Sequence, residues 1–462
     1  MFKTFCAIAA VLLLAGCSGG GGGGGAATTT TTPSSGGGGT PATLNNYVSV
    51  TVDNGPAALQ AGPNGYTSNN VAFVSVTICA PGSTTNCQTL DHVSVDTGSV
   101  GVRLIGPALN SSLLTSLTPE TDASSNPVGE CYQYIDGYVF GSVRYVDLYI
   151  GGANPGPGQG EKISNMPVNV LADPSSSAFS NVPASCSAVG GPNEGISVQA
   201  FGANGIIGIG VTATDCGSYC SSGTSAQLSQ GNPIYYDCPA SGCRTAIALP
   251  ASTSAPFHQV INPVAGMAVD NNGTMLVLPS APSTGAPSAA GTLYFGIGTQ
   301  TNNGLGSAQA YTVTGSSSQL GPGFLTVTYK GTALQYSFLD SGSAGYYFED
   351  GTITRCPSSG DLDGCYCPAS PISLTPTITG LNGATVSGAF TLYSAQILFN
   401  SNNAVLPGLG GNSSVFYPNI DPSFFAQSFD YGLPFFYGRS VYTSIEGTTV
   451  NGTTAATPFF AF

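Results

Sequence analysis

The sequence contains no tryptophan and only two histidines in 462 residues. Charged residues make up 6% of it, with eight Lys plus Arg against 22 Asp plus Glu and a net charge of −14. Eight cations cannot build a surface that neutralises a phosphate backbone, which excludes nucleic acid as a partner. The shortage of histidine argues against a Ser-His-Asp hydrolase, because neither His92 nor His258 stands beside a recognisable nucleophile elbow. It argues equally against a zinc site. Asp361-Leu362-Asp363-Gly364 has the start of a calcium loop but lacks the later acidic ligands, and reads as a disulfide-pinned surface loop. The chain is expected to work without a metal or a cofactor.

In place of charge there are 65 glycines and 32 prolines. Turn residues separate short Val/Ile/Tyr/Phe runs, the pattern of an all-β body. Val48–Val52 and Val71–Val76 alternate as strands do. Tyr132–Phe140 reads as a hairpin turning at Asp136-Gly137, a dipeptide that favours type I′. Phe424-Phe425, Phe429 and Phe435-Phe436-Tyr437 read as core aromatics at strand spacing.

The N-terminus reads as an export signal: Lys3, an apolar stretch from Ala7 to Ala15, then Gly16 and Cys17. Leu14-Ala15-Gly16-Cys17 resembles the bacterial lipobox, which implies cleavage after residue 16 and diacylation of the Cys17 sulfur. Ser18 then implies the outer membrane. The glycine run from Gly19 to Gly25, with the Thr-rich stretch up to residue 44, has no apolar surface to bury and is expected to be a tether. Thirteen cysteines fit an oxidising compartment. Without Cys6 and Cys17 eleven remain, so at least one thiol lacks an intramolecular partner. Cys79 and Cys87 could staple one hairpin, Cys216, Cys220, Cys238 and Cys243 could form two local bridges, and Cys356, Cys365 and Cys367 form a third cluster. That leaves Cys131 for Cys186.

The chemistry is expected at two acidic turns. Val93-Ser94-Val95 runs into Asp96-Thr97-Gly98-Ser99, and Tyr336-Ser337-Phe338-Leu339 runs into Asp340-Ser341-Gly342-Ser343. A carboxylate just after a buried strand has a rigid support. Gly98 and Gly342 let the chain fold back so that N–H groups point at it, and the hydroxyls of Thr97, Ser99, Ser341 and Ser343 are expected to fix its plane. If the two loops meet, the carboxyls cannot both ionise and must share a proton. One can then take a proton from water while the other donates to a carbonyl oxygen.

These motifs resemble those of the bilobal pepsin-like aspartic proteases. Val95-Asp96-Thr97-Gly98-Ser99 is similar to the first catalytic motif of that family and Leu339-Asp340-Ser341-Gly342-Ser343 to the second. Gly205–Gly210 resembles the apolar segment that packs beneath the first loop, and Gly432–Phe436 resembles its counterpart. The resemblance implies two β-barrel-like lobes, 45–305 and 306–462, with a cleft between them. It also implies an endopeptidase whose substrate lies under a flap carrying Tyr134 and Gly137. A one-residue insertion keeps Tyr132 and Tyr138 open as the flap tyrosine. The chain departs from the family in having no tryptophan to support the flap, no basic prosegment ahead of the body, Ser341 where many members have Thr, and a longer spacing between the aspartates. A reading of another class is a non-catalytic surface lipoprotein that keeps the cleft to bind a peptide or glycan.

Overall fold

The computed structural model describes residues 46–462 apart from 62–65, 153–154, 189, 223–227, 229–233, 253, 319–320, 359–361, 417–420, 451–452 and 455–456. The expected signal, Cys17 and tether lie outside the described residues, as does Asp361. No helix among the described residues is long and apolar enough to cross a membrane.

The chain is all-β. The helices among the described residues are short, the longest being Ser111–Ser116. Ala72–Cys79, Cys87–Asp96, Gly205–Ile209, Val100–Ile105, Glu161–Leu171 and Tyr138–Ile150 pair in that order. Tyr138–Ile150 then returns to Ala72–Cys79 through Thr77↔Tyr149 and Ile78↔Leu148, closing a barrel that leaves no open edge between these strands. Val74, Val76, Val93, Val102, Val168 and Ile207 are buried in its core. Cys87–Asp96 shows how sequence follows position: its first residues alternate in exposure, whereas Val93–Asp96 are all buried. There the strand is flanked on one side by Ala72–Cys79 and on the other by Gly205–Ile209. Ser94 and Asp96 are buried there along with Val93 and Val95, and the Ser94 hydroxyl donates to the Gly205 carbonyl at 3.2 Å.

Beyond Ala72–Cys79 the same sheet continues through Tyr47–Val52, Ala289–Phe295, Gly273–Val277, Ser440–Ser444, Phe459–Ala461 and Ala310–Thr312. Strands from both ends of the described chain thus share one sheet. A second sheet has the order Thr385–Ser387, Thr377–Thr379, Leu325–Tyr329, Thr332–Leu339, Phe429–Tyr431, Tyr346–Phe348, Gly410–Gly411. Its core is aromatic, with Phe348 and Phe429 stacked at 4.6 Å. Phe424, Phe425, Phe435, Phe436 and Tyr437 are buried, in keeping with their reading as core.

One local arrangement occurs twice. Val93–Asp96 runs parallel to Gly205–Gly208, and Val100–Leu104 runs back antiparallel to the same strand. Phe338–Leu339 runs parallel to Asp430–Tyr431, and Tyr346–Phe348 runs back antiparallel to it. Each acidic turn therefore springs from a strand pair clasping a third strand. The clasp is tight enough to demand glycine. A Cβ at Gly208 would meet the Val100 nitrogen at 2.6 Å, and one at Gly432 would meet the Ser343 carbonyl oxygen at 2.5 Å.

Five disulfides join Cys79–Cys87, Cys131–Cys186, Cys216–Cys220, Cys238–Cys243 and Cys356–Cys367. They respect the groupings expected from spacing, and Cys365 is buried outside them. The turn at Asp136-Gly137 differs from expectation. Gln133 pairs with Tyr138 and the Tyr134 N–H donates to the Gly137 carbonyl, so the loop spans four residues, 134–137. Neither Asp136 nor Gly137 has the positive φ that type I′ requires. Tertiary contact decides the turn. The Tyr134 and Ile135 side chains are buried, and a Cβ at Gly137 would meet the Pro192 carbonyl oxygen at 2.5 Å.

Candidate active site

The two acidic turns meet. Within the first, the N–H groups of Gly98 and Ser99 donate to Asp96 Oδ1 at 2.7 and 3.2 Å, and the Ser99 hydroxyl donates to Asp96 Oδ2. Within the second, the Gly342 N–H donates to Asp340 Oδ1 at 2.7 Å and Ser343 Oγ lies 2.9 Å from Asp340 Oδ2. The glycine after each Asp-hydroxyl pair turns the chain back onto its own carboxylate. Gly342 also makes room for the pair: a Cβ there would lie 2.8 Å from both Asp96 Cγ and Oδ1, and 3.1 Å from Asp340 Oδ1.

Thr97 and Ser341 act differently from expectation. Their hydroxyls do not reach the carboxylates but tie one loop to the other. The Thr97 N–H donates to Ser341 Oγ (3.1 Å) and the Ser341 N–H to Thr97 Oγ1 (2.9 Å). Each hydroxyl then donates across to the carbonyl before the opposite aspartate, Thr97 Oγ1 to Leu339 (3.3 Å) and Ser341 Oγ to Val95 (2.9 Å). The reason is the alternation of extended backbone: a residue next to the aspartate points its side chain the other way. The loss of a methyl at Ser341 leaves this exchange intact.

Both carboxyl groups are 0% exposed. They hydrogen-bond to one another, and burial raises the pKa of each. For Asp96 that rise is opposed by the hydrogen bonds from Asp340, the Ser99 hydroxyl and the Gly98 and Ser99 N–H groups. For Asp340 burial is reinforced by the charges of Asp96 and Asp430, and the group is held well above the usual carboxylate range. Asp96 receives three hydrogen bonds from its own loop and Asp340 only one N–H and a hydroxyl shared with Asp430, so the negative charge of the pair is better served at Asp96.

The Val128–Tyr138 hairpin reaches the strand leaving the first acidic turn, where the Val100 N–H donates to the Tyr132 hydroxyl at 3.4 Å. Ile135 at its tip packs among Phe324, Phe338, Tyr347, Phe424 and Phe425 of the second half. Tyr134 packs with Leu59, Val198 and Ile206 of the first half. Two recesses adjoin the hairpin; neither carboxyl lines them, but their neighbours Thr97 and Leu339 line the first and Gly342 the second. The first has an empty volume of about 620 Å³, mouth included, and is bounded by Thr97, Gly98, Tyr132, Val211, Phe324 and Phe424. The second, of about 660 Å³, is bounded by Leu59, Ser68, Tyr134, Glu194, Ile206 and Gly342. Tyr132 borders the first recess and Tyr134 the second, with the Tyr134 hydroxyl buried and without a partner among the described residues. Tyr138 packs away from the site, against Phe140 and Cys131. Gly137 abuts Pro192 rather than either recess.

The model of the family described as "Protein of unknown function (DUF3443)" matches residues 42–462. The chain belongs to that family. Among solved structures, the crystal structure of an aspartic proteinase from Irpex lacteus is similar at 15% identity and a TM-score of 0.41, over 90% of this chain and 96% of the proteinase. A search of curated proteins found no match.

Two features of the site escaped the sequence reading. Arg103, fully buried, donates to the Val100 carbonyl (2.8 Å) and pairs with Glu130 (2.5 Å) and Asp215 (3.4 Å). Its guanidinium lies 3.3 Å from the centre of the Tyr132 ring. This buried cluster fastens the hairpin base to the strand leaving the first acidic turn, so the hairpin is braced without a tryptophan. The second is Asp430, 5% exposed, whose Oδ2 lies 2.6 Å from Ser343 Oγ. The signal for both was a charge inside an apolar strand, Val-Gly-Val-Arg-Leu-Ile and Phe-Asp-Tyr, in a chain poor in charge. The histidines lie elsewhere: His92 Nε2 is 3.3 Å from Asp53 and His258 Nδ1 is 3.2 Å from Glu120. Among the described residues no group of three or more His, Cys, Asp or Glu side chains is set to hold a metal ion.

Proposed function

We propose that this protein is an aspartic-type endopeptidase of the cell envelope, anchored through a lipidated Cys17, that hydrolyses extended peptides with Asp96 and Asp340. The observation that carries the reading is the hydrogen-bonded carboxyl pair, built from two loops that exchange hydroxyls and backbone groups across a local twofold repeat. A mere scaffold has no use for two desolvated acids in contact, since each costs stability. Asp96, with three donors of its own loop, serves as the base; Asp340, which holds the proton, serves as the acid.

Water held against the pair gives a proton to Asp96 as its oxygen adds to the scissile carbonyl carbon, while Asp340 protonates the carbonyl oxygen. The resulting diol collapses as Asp96 passes its proton to the leaving nitrogen and Asp340 recovers one from a diol hydroxyl. The C–N bond breaks, and one water is consumed. The peptide lies beneath the hairpin with side chains in both recesses, and the unpartnered Tyr134 hydroxyl is available to its backbone. Because both carboxyls are covered, the hairpin lifts to admit substrate.

The test is digestion of a mixed peptide library from acid to neutral pH by the parent protein, with Asp96→Asn and Asp340→Asn as controls. Internal cleavage by the parent that both variants abolish supports the reading. Peptide binding without cleavage favours a non-catalytic lipoprotein that uses the cleft as a receptor.

A further inference from the structure

Asp430 is a buried acid with no place in the mechanism above. It projects from Phe429–Tyr431, the strand clasped beneath the second acidic turn. Ser343 Oγ stands between it and the pair, 2.6 Å from Asp430 Oδ2 and 2.9 Å from Asp340 Oδ2. A serine hydroxyl carries one hydrogen, so it can donate to only one of two carboxylates. The other contact needs a proton on the carboxyl. If the proton of the pair lies between Asp340 and Asp96, Asp340 Oδ2 has none to offer, and it must accept from Ser343. The proton facing Ser343 then belongs to Asp430.

The surroundings agree. Asp430 Oδ1 is buried without a hydrogen-bond partner, which a neutral acid tolerates far better than a carboxylate. The groups facing Asp430 are Ser343 and Asp340 from the second turn, Asp96 from the first, and Tyr347 opposite it in the neighbouring strand. None is a cation. Arg439 lies against Phe435 and acts on Tyr346 and Tyr431. Burial and the charge of Asp96 hold Asp430 well above the usual carboxylate range, against the hydrogen bond from Ser343.

We propose that Asp430 is a third carboxyl of the site, a positioning residue that stays protonated, donates to Ser343 Oγ and thereby commits the Ser343 hydrogen to Asp340. Its role in the reaction rests on the peptidase reading; its protonation does not. When Asp430 loses its proton at high pH, two anions compete for one hydroxyl hydrogen, Asp340 loses a donor and the site switches off. Ionisation of Asp430 therefore brings the basic limb of the activity profile to a lower pH than loss of the Asp340 proton alone would set.

The experiment has two arms. In the first, kcat/KM is followed against pH for the parent and for Asp430→Asn, whose amide can donate to Ser343 but cannot ionise. The variant is expected to keep its plateau within about threefold and to move its basic limb up by about one pH unit or more. In the Ser343→Ala background the same substitution is expected to leave the limb in place. A limb that stays or moves down in Asp430→Asn overturns the proposal, as does a plateau that collapses while the thermal unfolding curve is unchanged. In the second arm, the infrared spectrum of the parent minus that of Asp430→Asn at neutral pH is expected to show the carbonyl stretch of one neutral carboxylic acid. A carboxylate band in its place overturns the proposal whether or not any peptide is cut. A neutral-acid band in a protein that cuts nothing sinks the peptidase reading and leaves the protonation of Asp430 standing.

Discussion

The two acidic turns share a backbone plan but not an electrostatic setting. The first surrounds Asp96 with donors, two N–H groups and the Ser99 hydroxyl, all from its own loop. The second gives Asp340 one N–H group and a hydroxyl that it shares with another buried acid. A repeat of sequence thus becomes an asymmetry of charge: the better-served carboxyl keeps the negative charge, and the poorer one keeps the proton. Division of labour between acid and base follows from unequal surroundings, not from unequal residues.

The largest effects are expected where that division is removed. Asp96→Asn and Asp340→Asn should each reduce kcat/KM for peptide cleavage about 10³-fold or more, despite their different environments, because base and acid are both needed. An assay in which only one substitution matters would break the comparison. Gly342→Ala should come next. The added Cβ meets both carboxyls, so the pair must separate, and a displacement of that kind costs about 10²-fold in rate. The same clash should lower the stability of this variant by about 1–3 kcal/mol in thermal unfolding.

The exchange between the loops is expected to matter for stability. Thr97→Val and Ser341→Ala each strand a buried N–H and free a carbonyl, at a cost of about 1–3 kcal/mol in urea unfolding. Because the two hydroxyls form one network, the double variant should lose less than the sum. Additive losses would show that the loops are held together by something else.

The smallest expected effect is on thermal stability against pH. Asp340 and Asp430 have folded-state pKa values held well above the usual carboxylate range, each through burial first. A carboxyl of this kind stays protonated when folded but ionises when unfolded above about pH 4, so its contribution is complete below that value and is lost as pH rises through the folded value. Asp350 has the opposite sign. Lys330 and Thr352 outweigh its burial and lower it to about 2, so its contribution is present at neutral pH and is lost as pH falls toward that value. The melting temperature should therefore peak near about pH 4 and fall by about 2–4 °C per pH unit toward neutrality, a slope that Asp430→Asn makes shallower. A melting temperature that rises steadily from pH 4 to 7 would contradict the raised values.

Much of this was legible in the chain itself. Turn residues between short β-forming runs gave the all-β class, and apolar strands ending in Asp-Thr-Gly-Ser and Asp-Ser-Gly-Ser marked both turns. What sequence spacing could not reveal was direction. It identified the hydroxyls of Thr97 and Ser341 but not that they point away from their own carboxylates. It found Asp136-Gly137 but not the burial of Tyr134 and Ile135 that fixes a longer loop. Arg103 and Asp430 were visible as charges inside apolar strands, yet their meaning depends on partners far along the chain: Asp215 for one, Ser343 for the other.

The claim beneath the whole account is that Asp96 and Asp340 titrate as one system around a single proton. Carboxyl ¹³C NMR of protein labelled at aspartate, with signals assigned from Asp96→Asn and Asp340→Asn, measures this without any substrate. The account predicts two steps separated by about two pH units or more, the upper one well above the ordinary carboxylate range, and each signal sensing both steps. Two independent titrations near about pH 4, each unaffected by substitution of the other residue, would contradict it.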